Sequence, residues 1–311
     1  MKAVRFHEFG GPGVLRYEDA EQPSPGAGEV RLRVAGTTFN PVDDGIRGGW
    51  LQGPFPVTLP HVPGIEVAGT VDALGEGVDG LEVGEEVVGF LPMVADGASA
   101  EYVVAPAEVL TRAPSGVALA DAAAMPMVAL TAWQALFDDA ELTAGQRVLI
   151  NGAGGAVGGY AVQLAKHAGA HVIATGSPRS REGLTAAGAD EVVDHTTTDV
   201  AAAVGEPVDV LLNLAPADLD ALVALVRDGG VVVNTVVQTP TPADDGRGVR
   251  TVGVFVRSDR EQLAHLVELV DRGELRVDVG RRVPLDELAA VHAEADAGTL
   301  RGRVVVLPPS A

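Results

Sequence analysis

Three glycines spaced three apart, Gly152, Gly155 and Gly158, have the clearest chemical meaning in this chain. They follow Val148, Leu149 and Ile150, an apolar run suited to a buried parallel strand. They lead into residues 156–168, rich in Ala, Leu, Val and Gln, a composition that suits a helix packed on a sheet. A strand, a glycine turn and a helix together make a cradle for a pyrophosphate. Glycine lets the main chain approach the phosphates, and the helix N-terminus offers free N–H groups with partial positive charge. The spacing is G-x-x-G-x-x-G rather than G-x-G-x-x-G, so the flanking strand and helix carry the argument; the other reading is a glycine-rich turn without a ligand.

A second apolar strand, residues 171–175, bears on which dinucleotide the cradle holds. An NAD site of this kind places Asp or Glu near the end of that strand to hold the ribose 2′-hydroxyl. Here the strand ends Thr175-Gly176-Ser177, and Arg179 and Arg181 follow. A hydroxyl and two guanidinium groups suit a dianionic 2′-phosphate, which favours NADPH over NADH. The competing reading leaves both arginines as solvated loop residues.

The surrounding elements fall into two classes. The first 115 residues read as short strands punctuated by Gly and Pro, a pattern that suggests a small barrel. Val30, Leu32 and Val34 alternate with Arg31 and Arg33, as in a half-exposed strand. Residues 121–137 turn helical, with Pro126 set to kink or divide the helix. From 147 to 233 strands alternate with helices, which implies a doubly wound parallel sheet with right-handed crossovers. Residues 240–248 are polar and turn-rich, a boundary. Leu263, Leu266, Val267 and Val270 then share one face of a helix, and a strand closes the chain.

Bulk properties exclude several classes. The 311 residues suggest about two domains, and the net charge of −21 disfavours nucleic acid and anionic membranes as partners. Lysine occurs only at Lys2 and Lys166, so arginine must do most anion binding. There is no cysteine, which removes disulfides, thiolate catalysis and cysteine-ligated zinc and fits a reducing cytoplasm. The N-terminus, MKAVRFHEFG, lacks the apolar core of a signal peptide, and no apolar run is expected to reach the length of a membrane span.

A further set of motifs runs through the chain in order: Gly28-Glu29-Val30, Asn40-Pro41-Val42-Asp43, Pro63-Gly64 with Glu66, Val67 and Gly69, Thr131-Ala132-Trp133, the glycine turn, Gly188-Ala189-Asp190 and Gly302-Arg303-Val304-Val305. In this order and over nearly the whole length, the chain resembles the medium-chain dehydrogenase/reductase superfamily, in particular its zinc-less quinone oxidoreductase (zeta-crystallin-like) branch. The resemblance implies a GroES-like β-barrel catalytic domain interrupted by a Rossmann-type NADP-binding domain. The discontinuous catalytic domain would be residues 1–118 and 249–311, and the nucleotide domain 119–248. It also implies a homodimer joined edge to edge through sheets, with residues 231–233 and 252–256 as candidate strands; otherwise these strands are internal.

Carried over residue by residue, the pyrophosphate loop falls on Gly154, Gly155, Ala156 and Val157. Ser177 and Arg181 match positions that meet the 2′-phosphate, with Arg179 beside them. His195 matches a residue by the adenosine end, although a lone histidine also reads as a surface residue. Thr131 and Asn40 match residues near the nicotinamide, and Val254, Phe255 and Val256 a backbone stretch over its carboxamide. Asn40 has an equal reading as a turn residue before Pro41. Two departures stand out. Zinc-dependent relatives have Gly-His-Glu where this chain has Gly64-Ile65-Glu66, and Ile65 cannot bind metal. Tyrosines found in relatives correspond here to Gly45 and Leu51.

The resemblance therefore implies NADPH-dependent reduction of a small apolar conjugated carbonyl such as a quinone, which needs placement more than a dedicated proton donor. Trp50, Phe55 and Phe255 would wall the substrate pocket; Phe90 and Met93 could also do so, with core packing the better reading for them. Residues 48–56 read either as a lid or as a rigid loop. An enoyl reductase acting on an enone or acyl thioester is the alternative, although the lost tyrosines leave it without a proton donor. A non-catalytic NADPH-binding protein is the third reading.

Overall fold

The computed structural model describes residues 1–236 and 246–309. The chain divides into two compact units: Met1–Met127, Ser258–Gly273 and Val277–Ala311 in the first, Val128–Arg257 and Glu274–Arg276 in the second.

The first unit begins with β1 (Lys2–Phe6) and β2 (Leu15–Asp19), an antiparallel pair. Then come β3 (Glu29–Thr38), α1 (Pro41–Gly48), β4 (Glu66–Leu74), β5 (Glu86–Phe90), β6 (Tyr102–Pro106), β7 (Leu110–Arg112) and α2 (Leu119–Ala122). α2 stops short of Pro126, which opens α3 (Pro126–Trp133), so the proline divides the helix as its missing N–H requires. The last turns widen to π-type geometry over Gln134–Asp139. The stretch Leu119–Asp139, at 21 residues, is long and apolar enough to cross a bilayer by length and composition, which corrects the sequence expectation; 72% of its apolar window is buried inside the protein, as in a core helix.

The second unit is built on β8 (Arg147–Asn151), α4 (Ala156–His167), β9 (His171–Gly176), α5 (Arg181–Ala186), β10 (Glu191–Asp194), α6 (Val200–Ala203), β11 (Val208–Asn213), α7 (Leu219–Val223), β12 (Val226–Asn234) and β13 (Arg250–Gly253). Among the described residues six strands pair in the order β10-β9-β8-β11-β12-β13, every pair parallel. The chain builds outward from β8 to β10, then crosses to β11 and builds the other way. That reversal makes the β8/β11 boundary the switch point, where such sheets bind ligands at the carboxyl ends of their strands. Leu149, Ile173, Leu211 and Val232 lie in the core beneath one face.

The chain then returns to the first unit through α8 (Arg260–Asp271), β14 (Arg281–Pro284), α9 (Leu288–Asp296) and β15 (Val304–Leu307). Its larger sheet runs β14-β15-β3-β4-β5-β7, with β6 also on β3. Ten-residue β3 is the spine: its first half pairs with β6 and its end with β15. Val30, Leu32 and Val34 point into a core shared with Val67, Val87, Val103 and Leu110, while Arg31 and Arg33 face outward, as the alternation predicts. The apolar face of α8 is buried at Leu263, Leu266, Val267 and Val270.

Two further expectations, the domain bounds and the edge strand, need revision. The second unit begins after Met127 rather than at 119, and the return to the first does not begin at 249, because β13 is hydrogen-bonded to β12 and the division falls after Arg257. Residues 231–233 are not an edge, since β12 lies between β11 and β13. Most of the turn-rich stretch 240–248, residues 240–245, lies outside the described residues.

Candidate active site

The glycine turn lies at the switch point, and its three glycines do different work. Gly152 has φ +80°, and a Cβ there would come 2.7 Å from the Ala215 side chain. A Cβ on Gly158 would come 2.4 Å from the main chain of Ala153, so its absence lets α4 close onto the turn. Gly155, the N-cap of α4, is the open one: the nearest atom to its Cβ position is 3.5 Å away. No side chain caps α4 and no acid lies in its first turn, which leaves Gly154, Gly155, Ala156 and Val157 presenting an uncapped, exposed or half-exposed helix N-terminus. The donor set suits a pyrophosphate. Gly155→Val is accordingly expected to fold with near wild-type stability while weakening nucleotide binding about tenfold or more, because the added side chain fills the approach to the main chain. Gly158→Ala should instead lower the melting temperature by several degrees. Thermal melts and nucleotide titrations of the two variants separate these effects.

Ser180 ties the following turn to the cradle. Its hydroxyl accepts the Ser177 N–H at 3.0 Å and donates to the Ser177 carbonyl at 3.1 Å. The same hydroxyl lies 2.8 Å from the Gly154 Cβ position. Arg179 and Arg181 are exposed, and β9 ends at Gly176 without a carboxylate. The His195 N–H donates to the Gly176 carbonyl at 3.1 Å. His195 lines a cavity of about 350 Å³ together with Asn151, Gly152, Thr175, Ala215 and Pro216. The structure thus brings the cradle, the Ser177–Arg181 turn and His195 to one end of the sheet. Thr131 is buried on α3. The stretch Val254, Phe255, Val256 is held at both ends: the Val254 N–H donates to the Asn234 carbonyl at 2.9 Å, and Gln134 clasps Arg257 with reciprocal bonds of 2.9 Å. Phe255 is 65% exposed.

In the first unit Asn40 is buried and N-caps α1. Its main-chain N–H donates to Asp43 Oδ2 at 2.8 Å. Its side-chain amide faces the other way, donating to Glu66 Oε2 and accepting from Arg303 Nη1, both at 2.8 Å. Glu66 is fully buried and also takes the Met127 N–H (2.8 Å), the Thr38 hydroxyl and the Arg303 guanidinium. Arg303 adds bonds to the Phe39 carbonyl (3.0 Å) and Thr38 Oγ1 (3.0 Å). Sequence reading missed the Arg303–Glu66 pair, although both residues stand in the quoted motifs.

Asp43 also accepts the Gly64 N–H (3.2 Å), and burial, reinforced by Glu66 and opposed by His292 and the two N–H groups, pushes its carboxyl up to about 6. A raised acid binds its proton more tightly folded than unfolded. Its contribution to stability is present below about pH 4 and is lost as pH rises through about 6, by up to about 3 kcal/mol. Asp43→Asn should therefore lose more stability relative to wild type at pH 4.5 than at pH 7. Urea unfolding at both values checks this; equal losses would refute the assignment.

Trp50 is 75% exposed, with its ring over Gly48, and Phe55 packs on the core shared by Phe6, Ile46 and Leu285. Phe90 is buried and Met93 packs on that same core. Within residues 48–56 the Phe55 N–H donates to the Leu51 carbonyl at 2.7 Å. Leu51 lies over Gly45, its Cδ1 2.4 Å from the Gly45 Cβ position. Positions 45 and 51 therefore form a single contact.

The chain matches the family description "Alcohol dehydrogenase GroES-like domain" over residues 26–115 and "Zinc-binding dehydrogenase" over 187–306. It is 32% identical to the chloroplast envelope quinone oxidoreductase homolog of Arabidopsis thaliana over 99% of this chain and 98% of that one. It belongs to the zinc-less quinone oxidoreductase branch of the medium-chain dehydrogenase/reductase superfamily. Its fold is similar to that of the quinone oxidoreductase from Coxiella burnetii, with a TM-score of 0.89 and 30% identity over 99% of each chain. A mycobacterial protein solved in complex with NADPH is similar at TM-score 0.86 and 31% identity, over 99% of this chain and 100% of that one. The protein is a medium-chain oxidoreductase. The zinc named in one family description does not fit its residues: cysteine is absent, Ile65 is apolar and buried, and Glu66 is committed to Arg303.

Proposed function

We propose that the protein is an NADPH-dependent, zinc-independent reductase that transfers a hydride to a quinone or a related small conjugated carbonyl. The observation that carries this reading is the Ser177–Arg181 turn beside the glycine cradle, with two exposed arginines and no carboxylate at the end of β9. The NADPH complex of a similar mycobacterial protein and the names of the quinone oxidoreductase relatives support it.

A bound nicotinamide supplies the hydride. The protein's own part is placement. In the second unit the uncapped start of α4 binds the pyrophosphate, and Ser177, Arg179 and Arg181 bind the 2′-phosphate. His195 flanks the adenosine, Thr131 and the clasped 254–256 backbone orient the nicotinamide, and Phe255 meets the substrate. In the first unit Asn40 is assigned to the nicotinamide, and Trp50 and Phe55 are assigned to the substrate. A quinone suits a site lacking tyrosine at 45 and 51, because solvent can protonate its reduced oxygen. As a homodimer, two copies would join through β13, which with β10 is an edge strand of the six-stranded sheet among the described residues; a one-chain mass in sedimentation would remove that part of the reading.

NADPH oxidation followed at 340 nm with a quinone, an enone and a crotonyl thioester side by side tests the reaction. Turnover of the quinone, faster with NADPH than NADH, is expected. Turnover of the thioester alone would favour an enoyl reductase, and nucleotide binding without turnover of any acceptor a non-catalytic role.

A further inference from the structure

Polar side chains buried at the ends of parallel strands are costly unless paired. Four lie in one row here: Thr175 in β9, Asn151 at the end of β8, Asn213 at the end of β11 and Asn234 at the end of β12. These strands are consecutive in the sheet, and the register sets Asn151 opposite Asn213 and Asn213 opposite Asn234. All four are buried, at 1%, 7%, 0% and 5% exposure in that order.

Their hydrogen bonds run in one direction. The Gly152 N–H donates to Thr175 Oγ1 at 2.8 Å, and that hydroxyl donates to Asn151 Oδ1 at 3.0 Å. Asn151 Nδ2 donates to Asn213 Oδ1 at 2.7 Å, and Asn213 Nδ2 to Asn234 Oδ1 at 2.9 Å. Asn234 Nδ2 donates to the Val236 carbonyl at 3.2 Å. Main-chain groups fix both ends, because the Gly152 N–H can only donate and the Val236 carbonyl can only accept. No amide can flip alone without setting donor against donor or acceptor against acceptor. The sheet itself does not need this row, since apolar side chains would fill the strand ends without polar cost.

We propose that the ladder is a positioning element that fixes the register between the two halves of the dinucleotide site in this unit. One end holds Gly152, and through it the phosphate turn, while Ser177 follows two residues after Thr175. The other end holds Asn234, whose carbonyl takes the N–H of Val254, where the stretch assigned to the nicotinamide begins. The proposal rests on the dinucleotide reading above.

Breaking the middle rung should spare the adenosine half and detach the nicotinamide half. The test uses the full chain with Asn213→Leu, Thr175→Val and Thr175→Ser, titrated calorimetrically with NADPH and with 2′,5′-ADP, which carries only the adenosine end. Asn213→Leu is expected to raise Kd for NADPH about tenfold and leave that for 2′,5′-ADP within about twofold. Thr175→Val should weaken both ligands, and Thr175→Ser, which keeps the hydroxyl, should restore both. A role confined to stability would lower the melting temperature without this split. Unchanged NADPH affinity in folded Asn213→Leu overturns the proposal. So does Thr175→Ser behaving no better than Thr175→Val, a comparison that stands even if Asn213→Leu does not fold. Wild-type protein that binds neither ligand overturns the dinucleotide reading, and the ladder's role with it.

Discussion

Replacing Arg181 by alanine is expected to raise the apparent KM for NADPH about ten- to a hundredfold and to leave that for NADH within about twofold. The two cofactors differ only at the ribose 2′ position, so a residue that meets the phosphate must discriminate between them. A hydrogen bond to a charged group contributes about 1.5–3 kcal/mol, which sets the size of the loss. Arg181 is exposed at the start of α5, so the effect should shrink as ionic strength rises. Arg181→Lys should recover part of the affinity, because a point charge remains after the planar fork is gone. Initial rates with both cofactors at two salt concentrations provide the measurement. Equal losses for NADPH and NADH would show that Arg181 does not touch the 2′-phosphate.

The largest effect on stability is expected at Arg303. Its guanidinium is the counter-charge of Glu66, which is fully buried, and it also holds the Asn40 amide and two groups of β3 and the residue after it. Arg303→Met should cost about 3–5 kcal/mol, since it strands a carboxylate away from water. Adding Glu66→Gln should return about half of that, because the uncompensated charge is then gone while the Met127 N–H keeps an acceptor. Urea unfolding of the single and double variants measures both quantities. A single-variant loss under about 1 kcal/mol would mean that the pair is solvated rather than buried.

Much of this site was legible in the chain because its signals are local. The strand Val148-Leu149-Ile150, the glycine spacing and the helix after it are contiguous, and the structure places them as β8, turn and α4. The alternation in β3 and the apolar face of α8 are local as well. What could not be read depends on strand order. Asn151 and Asn213 are 62 residues apart, and each taken alone reads as a turn residue. Only the pairing of β8 with β11 and of β11 with β12 makes them a row. The Glu66–Arg303 pair is 237 residues apart and forms because β15 returns to pair with β3. β13 groups with the closing segment in the sequence for the same reason: four residues of strand carry no mark of the sheet they will join.

The contact of Leu51 with Gly45 also couples the two positions. The two positions are epistatic. A tyrosine placed at 45 alone would meet the Leu51 side chain, so it overpacks the site unless that leucine moves aside. Replacing Leu51 by a smaller residue removes that obstacle. A side chain at 45 and the leucine at 51 thus compete for one space, so the effect of a change at either position depends on which residue stands at the other.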